Sequence, residues 1–343
     1  MKNRKKVLSI LLPLALMIVG CSKDNKNDVG GRNYSTYTWM TEISDDKMLS
    51  ELSIPGTHDS GTKEIGPGPA HTQNFSIEQQ LNDGIRFLDI RLKKKDGKLK
   101  LYHGHDVFSY DCKVYFNTVL DWCKDFLKKY PNEVILMSIK NEEPDEDITG
   151  YLNDLYFGDD EHSTSWEDLF WRGNSNDPKG NCKDRLPTLG EVRGKIVVFK
   201  RFEYVEKIDH FIDWYTEWDG ANKKSETFQI KNQTGFWYYI EDKFNEHDTN
   251  KKLDEVEKHL NAAHKGNAKD VYLTFNSIAY NTANGRTPYW YAWGSAKPKM
   301  NKGLEDFLYD NQGKHRWGIV VLDFYNDEGE NNNIVQYIIN SNF

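Results

Sequence analysis

Cysteine is scarce, four residues in 343, at positions 21, 112, 123 and 182. None of them forms a C-x-x-C pair, so no zinc site or dithiol motif is written into the chain. A second long apolar run is also missing. After Val7 to Val19 no stretch is able to span a bilayer, and the body reads as soluble. Positive net charge is absent as well: the formal charge is −8, and four units more negative without Lys2, Arg4, Lys5 and Lys6. Such a surface repels nucleic-acid phosphates and excludes a nucleic-acid partner. It also gives little attraction to an anionic membrane, so lipid contact is expected to lean on apolar and aromatic side chains. There is no internal repeat and no sign of an obligate protein partner.

What is present begins with an export signal over residues 1–20: four cations, the apolar run, then Ile18-Val19-Gly20-Cys21. The small residue before Cys has the form of a bacterial lipoprotein signal, with Cys21 as the acylated first residue of the mature chain. A signal cut elsewhere or a short anchor fits the order of charge, apolar run and Cys less well. Residues 21–40 read as a lipidated Cys and flexible tether, since the stretch from Ser22 to about Tyr34 is rich in Lys, Asp, Asn and Gly. The expected location is a bacterial membrane, in the cell envelope or at the surface. Three cysteines then remain, an odd number that leaves at least one free thiol. Cys123 falls on an apolar helix face, and pairing of Cys112 with Cys182 stays open.

Residues 41–343 read as one catalytic domain. Short apolar or alternating runs predict strands at Met48–Ile54, Arg86–Ile90, Leu99–Tyr102, Val134–Ile139, Lys195–Phe199, Phe236–Ile240, Val271–Phe275 and Trp317–Leu322. Helical spacing is clearest from Val114 to Tyr130, where Phe116, Val119, Leu120, Cys123 and Leu127 share a face and Pro131 stops the helix. Asn250–Lys265, Asn301–Tyr309 and Asn332–Asn340 are further helix candidates, and Tyr156 to Pro187 looks like a long insertion. About eight strands, some alternating with helices, predict an α/β fold, a (β/α) barrel that is irregular where crossovers are short.

Polar side chains gather at the predicted strand exits: His58 and Asp59, Asp89 and Arg91, His103, Lys140 and Glu142, Arg201, Asp242, Asn276 and Ser277, and Asp323. In parallel barrels that edge carries the active site. His58 and His103 supply a base and an acid in opposite protonation states, and an arginine between them supplies a fixed cation for a phosphate. An isolated histidine is more often a structural one; here each follows a strand and has a candidate carboxylate nearby. The other histidines show no metal-ligand spacing.

Read together, I-P-G-T-H-D-S from Ile54, G-I-R-F-L-D-I-R from Gly84, Tyr102-His103-Gly104, Ile135 to Glu142 and Trp317 to Phe324 resemble the bacterial phosphatidylinositol-specific phospholipases C. The likeness covers nearly everything from about Thr41 onward. It implies a distorted TIM barrel and cleavage of phosphatidylinositol to diacylglycerol and a cyclic inositol phosphate. It also implies roles residue by residue. His58 matches the base that activates the inositol 2-hydroxyl, and Asp323 the carboxylate that orients it. His103 matches the acid for the departing oxygen, and Asp59 the carboxylate that supports both this acid and the phosphate-binding arginine. Arg91 matches the phosphate-gripping arginine, with Asp89 behind it. Lys140, Arg201 and Asp242 match positions that bind inositol hydroxyls. Glycosyl-phosphatidylinositol anchors, and the proteins that carry them, are a further expected target beside phosphatidylinositol-containing membranes.

The family's Asp-x-Tyr is here Asp242-Lys243-Phe244, so a ring face remains for stacking and a phenol is lost. In related calcium-using enzymes a carboxylate stands where Arg91 does, so the resemblance implies no metal and no cofactor. Pro288-Tyr289-Trp290-Tyr291-Ala292-Trp293 reads equally as a lipid-dipping rim or as burial against the barrel. Two rival functions are a glycerophosphodiester phosphodiesterase, which Arg91 opposes, and a non-catalytic lipoprotein that binds inositol lipids or glycans, which would need a missing catalytic member.

Overall fold

Alternation along short strands sorts the side chains of this chain onto two faces of one curled sheet. A computed structural model describes residues 33–104, 109–143, 145–158, 162–173, 185–203, 211–231, 236–327 and 333–343. The signal, Cys21, His105 and Cys182 lie outside them. The strands are β1 (Ile54–Thr57), β2 (Phe87–Lys95), β3 (Lys98–His103), β4 (Tyr110–Tyr115), β5 (Ile135–Asn141), β6 (Ile196–Arg201), β7 (Ile212–Asp213), β8 (Glu226–Lys231), β9 (Trp237–Asp242), β10 (Val271–Phe275) and β11 (Ile319–Leu322). They pair in the order β7-β6-β5-β2-β1-β11-β10-β9-β8, and every neighbouring pair from β7 to β9 is parallel. This is the distorted TIM barrel that the resemblance implies, and it agrees with the irregular (β/α) barrel read from the strands.

One face holds Ile54, Phe87, Leu136, Val197, Phe199, Tyr238, Ile240, Leu273, Phe275, Ile319 and Val321, which form the barrel core. The intervening residues, among them Leu88, Ile90, Met137, Ile139, Val198 and Leu322, join a second core under the helices. Among the described residues hydrogen bonds do not close the barrel: β7 and β8 are its edges. Aromatic rings fill the seam instead. Trp214, just past β7, packs against Tyr238 of β9, and Trp218 against Phe228 of β8 at 5.4 Å.

The helices are α1 (Ile77–Asn82), α2 (Phe116–Lys129), α3 (Thr149–Leu152), α4 (Leu189–Val192), α5 (Thr249–Lys265), α6 (Pro288–Ala292), α7 (Met300–Asp310) and α8 (Ile334–Asn340). The predicted apolar stripe of α2 is buried, and Lys128 and Lys129 in its last turn complement the helix dipole. Its start moves from Val114 to Phe116 because Tyr110–Tyr115 is strand β4.

Three expectations change. Met48–Ile54 is not a strand: Leu49–Glu51 is a 3-10 turn, and β1 begins at Ile54. Leu99–Tyr102 is not a parallel barrel strand. It belongs to β3, which folds back antiparallel on β2 after a turn at Asp96-Gly97, and the eighth parallel strand is the two-residue β7. The tether does not run to residue 40. Trp39 and Met40 are fully buried, and Tyr34 stacks on Phe343.

The reason is a buried ion pair. Arg86 donates to Glu133 Oε2 through Nε at 3.0 Å and Nη2 at 2.9 Å, and also caps the carbonyls of Thr36 and Tyr37. Glu133 in turn accepts from the backbone of Met40 and Thr41. A charge pair without water needs every donor and acceptor filled, and the incoming segment fills them.

The insertion after Tyr156 is partly built into the core: Tyr156, Phe157 and Phe170 are buried. Cys112 and Cys123 are buried free thiols. In the aromatic run, Tyr291 and Trp293 are buried against the barrel, while Tyr289 is 40% exposed and donates through its hydroxyl to Asp327 at 2.8 Å.

Candidate active site

On β2, Phe87 points into the barrel, so Asp89 and Arg91 point the same way one and two steps nearer the rim. The same alternation carries Leu136, Ser138 and Lys140 along β5, Val197, Phe199 and Arg201 along β6, and Ile240 and Asp242 at the end of β9. Parallel register then sets Arg91 beside Lys140 and Lys140 beside Arg201. Asp89, Arg91 and Lys140 thus stand inside their strands and not past the ends, because β2 runs on to Lys95 and β5 to Asn141.

β1 delivers His58, whose backbone N–H donates to Leu322 of β11 at 3.0 Å. Gly56 lets β1 lie close against β2 on its other side: a Cβ there would meet Phe87 Cβ at 2.9 Å. Asp323 follows β11, and its Oδ1 lies 2.8 Å from His58 Nδ1. Since a carboxylate only accepts, Nδ1 carries the proton and Nε2 is left as the base. Phe275 stands edge-on to the ring at 6.0 Å.

Asp59 and Phe324, the residues following the histidine and its carboxylate, both have φ of +46°. For Phe this is a strained backbone, and three contacts hold it. Its N–H donates to Thr72 O at 2.7 Å, and its carbonyl accepts from Trp293 Nε1 at 2.8 Å and Asn301 Nδ2 at 3.2 Å. The Asn301 amide also holds the Asp323 carbonyl, at 2.9 Å.

The β2–β3 hairpin returns His103 to the rim. Its Nδ1 donates to Asp59 Oδ2. Asp59 Oδ1 pairs with Arg91 Nε at 3.2 Å, and Asp59 Oδ2 lies 3.9 Å from His58 Nε2. One carboxylate therefore links both imidazoles and the guanidinium. Arg91 also donates to Asp89 Oδ2 through Nε at 3.0 Å and Nη2 at 2.9 Å, and to Glu142 through Nη1 at 3.3 Å. Lys140 Nζ reaches both oxygens of the same Glu142 at 3.4 Å. Arg201 is forked onto Asp219 at 2.8 and 3.0 Å and lies over the Trp218 ring at 3.7 Å.

Electrostatics follow from this crowding. Burial opposes a charge on His58, and Asp323 outweighs it, so its pKa is raised. Burial raises Asp323. Burial works against the Asp59 charge too, yet Arg91 and His103 hold its pKa well below the usual carboxylate range. Burial likewise opposes the Arg91 charge, and Asp59, Asp89 and Glu142 drive its pKa well upward. Asp242 is pushed up to about 6, chiefly by burial. Its carboxylate makes no hydrogen bond or ion pair among the described residues.

The structure thus gathers His58, Asp59, Asp89, Arg91, His103 and Asp323 into one cluster, with Lys140 and Arg201 beside it and Asp242 at the exit of β9. Phe244 follows two residues later, half-buried, its carbonyl held by Ala279 N–H at 2.9 Å. A cavity of about 340 Å³ opens next to Lys140 and Arg201, bordered by Tyr215, Asp219 and Asn222. A larger one of about 600 Å³, near Tyr34, His264 and Arg316, lies at the strand-start end and holds none of these groups. Sequence reasoning set Glu142 at a strand exit without a role, although its spacing from Lys140 was the available signal. It missed Asp219 and Trp218, which no motif connects to Arg201.

The sequence profile of PI-PLC X 1 matches residues 45–270. A 1-phosphatidylinositol phosphodiesterase of Staphylococcus aureus is 27% identical over 352 residues, covering 99% of each chain. Its counterpart in Listeria monocytogenes is 29% identical over 315 residues, 88% of this chain and 86% of that one. Among solved structures, a pentafluoro-Phe form of the S. aureus phosphatidylinositol-specific phospholipase C superposes with a TM-score of 0.74 at 28% identity, over 90% of this chain and 98% of that one. The L. monocytogenes phosphatidylinositol-specific phospholipase C superposes with a TM-score of 0.63 at 25% identity, over 90% and 99%.

Proposed function

The chain belongs to the PI-PLC X family of phosphatidylinositol-cleaving enzymes, and from that premise we propose that it splits phosphatidylinositol by internal attack, without a metal ion. The observation that carries this reading is Asp59, which holds His103 and Arg91 and stands 3.9 Å from His58 Nε2. A single phosphodiester placed against Arg91 would meet both imidazoles.

His58 Nε2 takes the proton of the inositol 2-hydroxyl, and that oxygen attacks phosphorus. The nucleophile is already part of the substrate, so no water has to be captured and oriented. The bond to the diacylglycerol oxygen breaks, and His103, protonated and held by Asp59, supplies the proton to the leaving oxygen. The product is inositol 1,2-cyclic phosphate. Ring opening by water with the two roles exchanged returns both histidines to their starting states. Arg91 offers a planar fork to the non-bridging oxygens, and its charge does what a calcium ion would otherwise do. Lys140, Arg201 and Asp242 would hold inositol hydroxyls, with Phe244 against the ring.

Glycosyl-phosphatidylinositol anchors form a second substrate class in this proposal. The cavity beside Lys140 and Arg201 supports it, as room for a sugar on the inositol. Export and acylation at Cys21 complete the reading, and a lipid mass increment on a blocked N-terminus would test that part.

The decisive assay is phosphorus NMR on phosphatidylinositol in excess chelator. A cyclic phosphate signal that persists under chelation is expected. Glycerophosphate would point to a glycerophosphodiester phosphodiesterase, no turnover to a lipid-binding protein, and activity restored by calcium would refute metal independence.

A further inference from the structure

On the β2–β3 ribbon, Lys93 stands directly opposite Lys100, and Lys95 directly opposite Lys98. Paired residues of an antiparallel ribbon share a face, so four ammonium groups occupy one side as two like-charge pairs. Such pairs destabilise a ribbon, and this chain has ample acidic residues to avoid them. Partial relief comes from two carboxylates: Lys93 pairs with Glu143, and Lys100 with Asp111 at 2.7 Å. Lys95 and Lys98 make no ion pair among the described residues. Two aromatic rings lie on the same face. The Lys93 ammonium is 5.6 Å from the Tyr102 ring, and those of Lys98 and Lys100 are 5.9 and 5.0 Å from Tyr115.

The position of this face is as telling as its charge. β2 last pairs with β5 at Leu92 and Asn141, where β5 ends. Lys93–Lys95 therefore runs past the barrel rim by about three residues, ~10 Å. It turns at Asp96-Gly97, with φ of +50° and +72°, the tight type I′ geometry that suits this dipeptide. It returns as β3 to place His103 in the site. The basic face and the catalytic mouth consequently share one end of the molecule.

We propose that this Lys–Tyr face docks the mouth on an anionic phospholipid surface. The identification of the partner as a lipid surface rests on the function proposed above. The charge of the whole chain argues against such attraction, but screening confines electrostatics to about a Debye length, so the local sign governs contact. Lys95 and Lys98 are the exposed members of this face and attract anionic headgroups, while Tyr115 is half-buried and Tyr102 buried beneath the lysines.

The test uses Asn33–Phe343, which forms a compact unit holding both cores, so that the N-terminal apolar run does not contribute. Sedimentation with vesicles of phosphatidylcholine, alone or mixed with phosphatidylglycerol and free of phosphatidylinositol, measures docking apart from catalysis. Wild type should prefer the anionic vesicles, with a salt-sensitive affinity. Lys95→Ala/Lys98→Ala should bind them about tenfold more weakly. It should keep wild-type melting, because a like-charge pair has gone, and wild-type turnover of micellar phosphatidylinositol. Lys95→Arg/Lys98→Arg should retain binding. Equal affinity of wild type and the alanine variant for anionic vesicles, or no preference over phosphatidylcholine, would overturn the proposal. So would lysine-dependent binding of dextran sulfate without vesicle binding, which would assign the face to a soluble polyanion. Failure to turn over micellar phosphatidylinositol would count against the catalytic reading and leave the vesicle comparison intact.

Discussion

Asp323→Asn removes one charge and almost no volume behind the proposed base. In the wild type, His58 Nδ1–H donates to Asp323 Oδ1 at 2.8 Å, and that carboxylate outweighs the burial that would otherwise lower the His58 pKa. The amide leaves the burial and removes the attraction. If its NH₂ group turns toward Nδ1, the ring proton moves to Nε2 and the base is lost; if its oxygen does, the tautomer survives with a weaker base. The two cases bracket the expected loss in kcat at about 10²–10⁴. KM should stay near wild type, because Asp323 reaches no substrate atom in the proposed geometry.

The pH profile separates this from simple damage. The base must be neutral, so wild-type kcat/KM falls on the acid side with an apparent pKa above the ordinary histidine value of 6.5, and the variant's acid limb lies lower. Stability should move the other way. Burial raises the Asp323 pKa, so its contribution to stability is present at low pH and is lost as pH rises through that raised value. At pH 8, with His58 neutral, the uncharged Asn should hold or raise Tm. Rates from a soluble phosphodiester substrate between about pH 5 and 9, with Tm by calorimetry, decide the matter. A variant within about tenfold of wild-type kcat, or one whose Tm falls in step with its activity, refutes the reasoning.

Arg91→Lys keeps a charge but cannot span Asp59, Asp89, Glu142 and a phosphate, so kcat/KM should drop by about 10²–10³, and calcium should not restore it. Asp242, raised to about 6, must be ionised to accept an inositol hydroxyl fully. KM should therefore rise as pH falls through that value, and Asp242→Asn should raise KM about tenfold and abolish that limb. Glu133→Ala strands Arg86, which is fully buried, and should cost about 3–5 kcal/mol in urea unfolding with kcat preserved in the folded fraction.

Several elements were legible because their signals are local. The α2 stripe needs only a 3.6-residue period, and Asp89 and Arg91 share a face because strands repeat every two residues. β7 was not legible: two residues carry no period, and its partner β6 supplies the pairing. The β2–β3 hairpin has a local signal in Asp96-Gly97, but the short apolar run Leu99–Tyr102 by itself does not tell an antiparallel return from a parallel barrel strand. The polar composition of a tether ends near Tyr34, and the burial of Trp39, whose indole N–H donates to Gly84 O at 3.1 Å, depends on a partner 45 residues away.

By itself, the sequence determined which chemical groups are present, their order along the strands and the face each one takes, since chain periodicity is a property of neighbours. Only the tertiary structure decided the distances at which Asp59 joins His103 and Arg91, that Asp219 and Trp218 would hold Arg201, and that paired lysines would stand at the mouth. Those contacts depend on strand order and register across as many as 44 residues of chain, for Asp59 and His103, and distances across a curled sheet are not encoded in any local pattern.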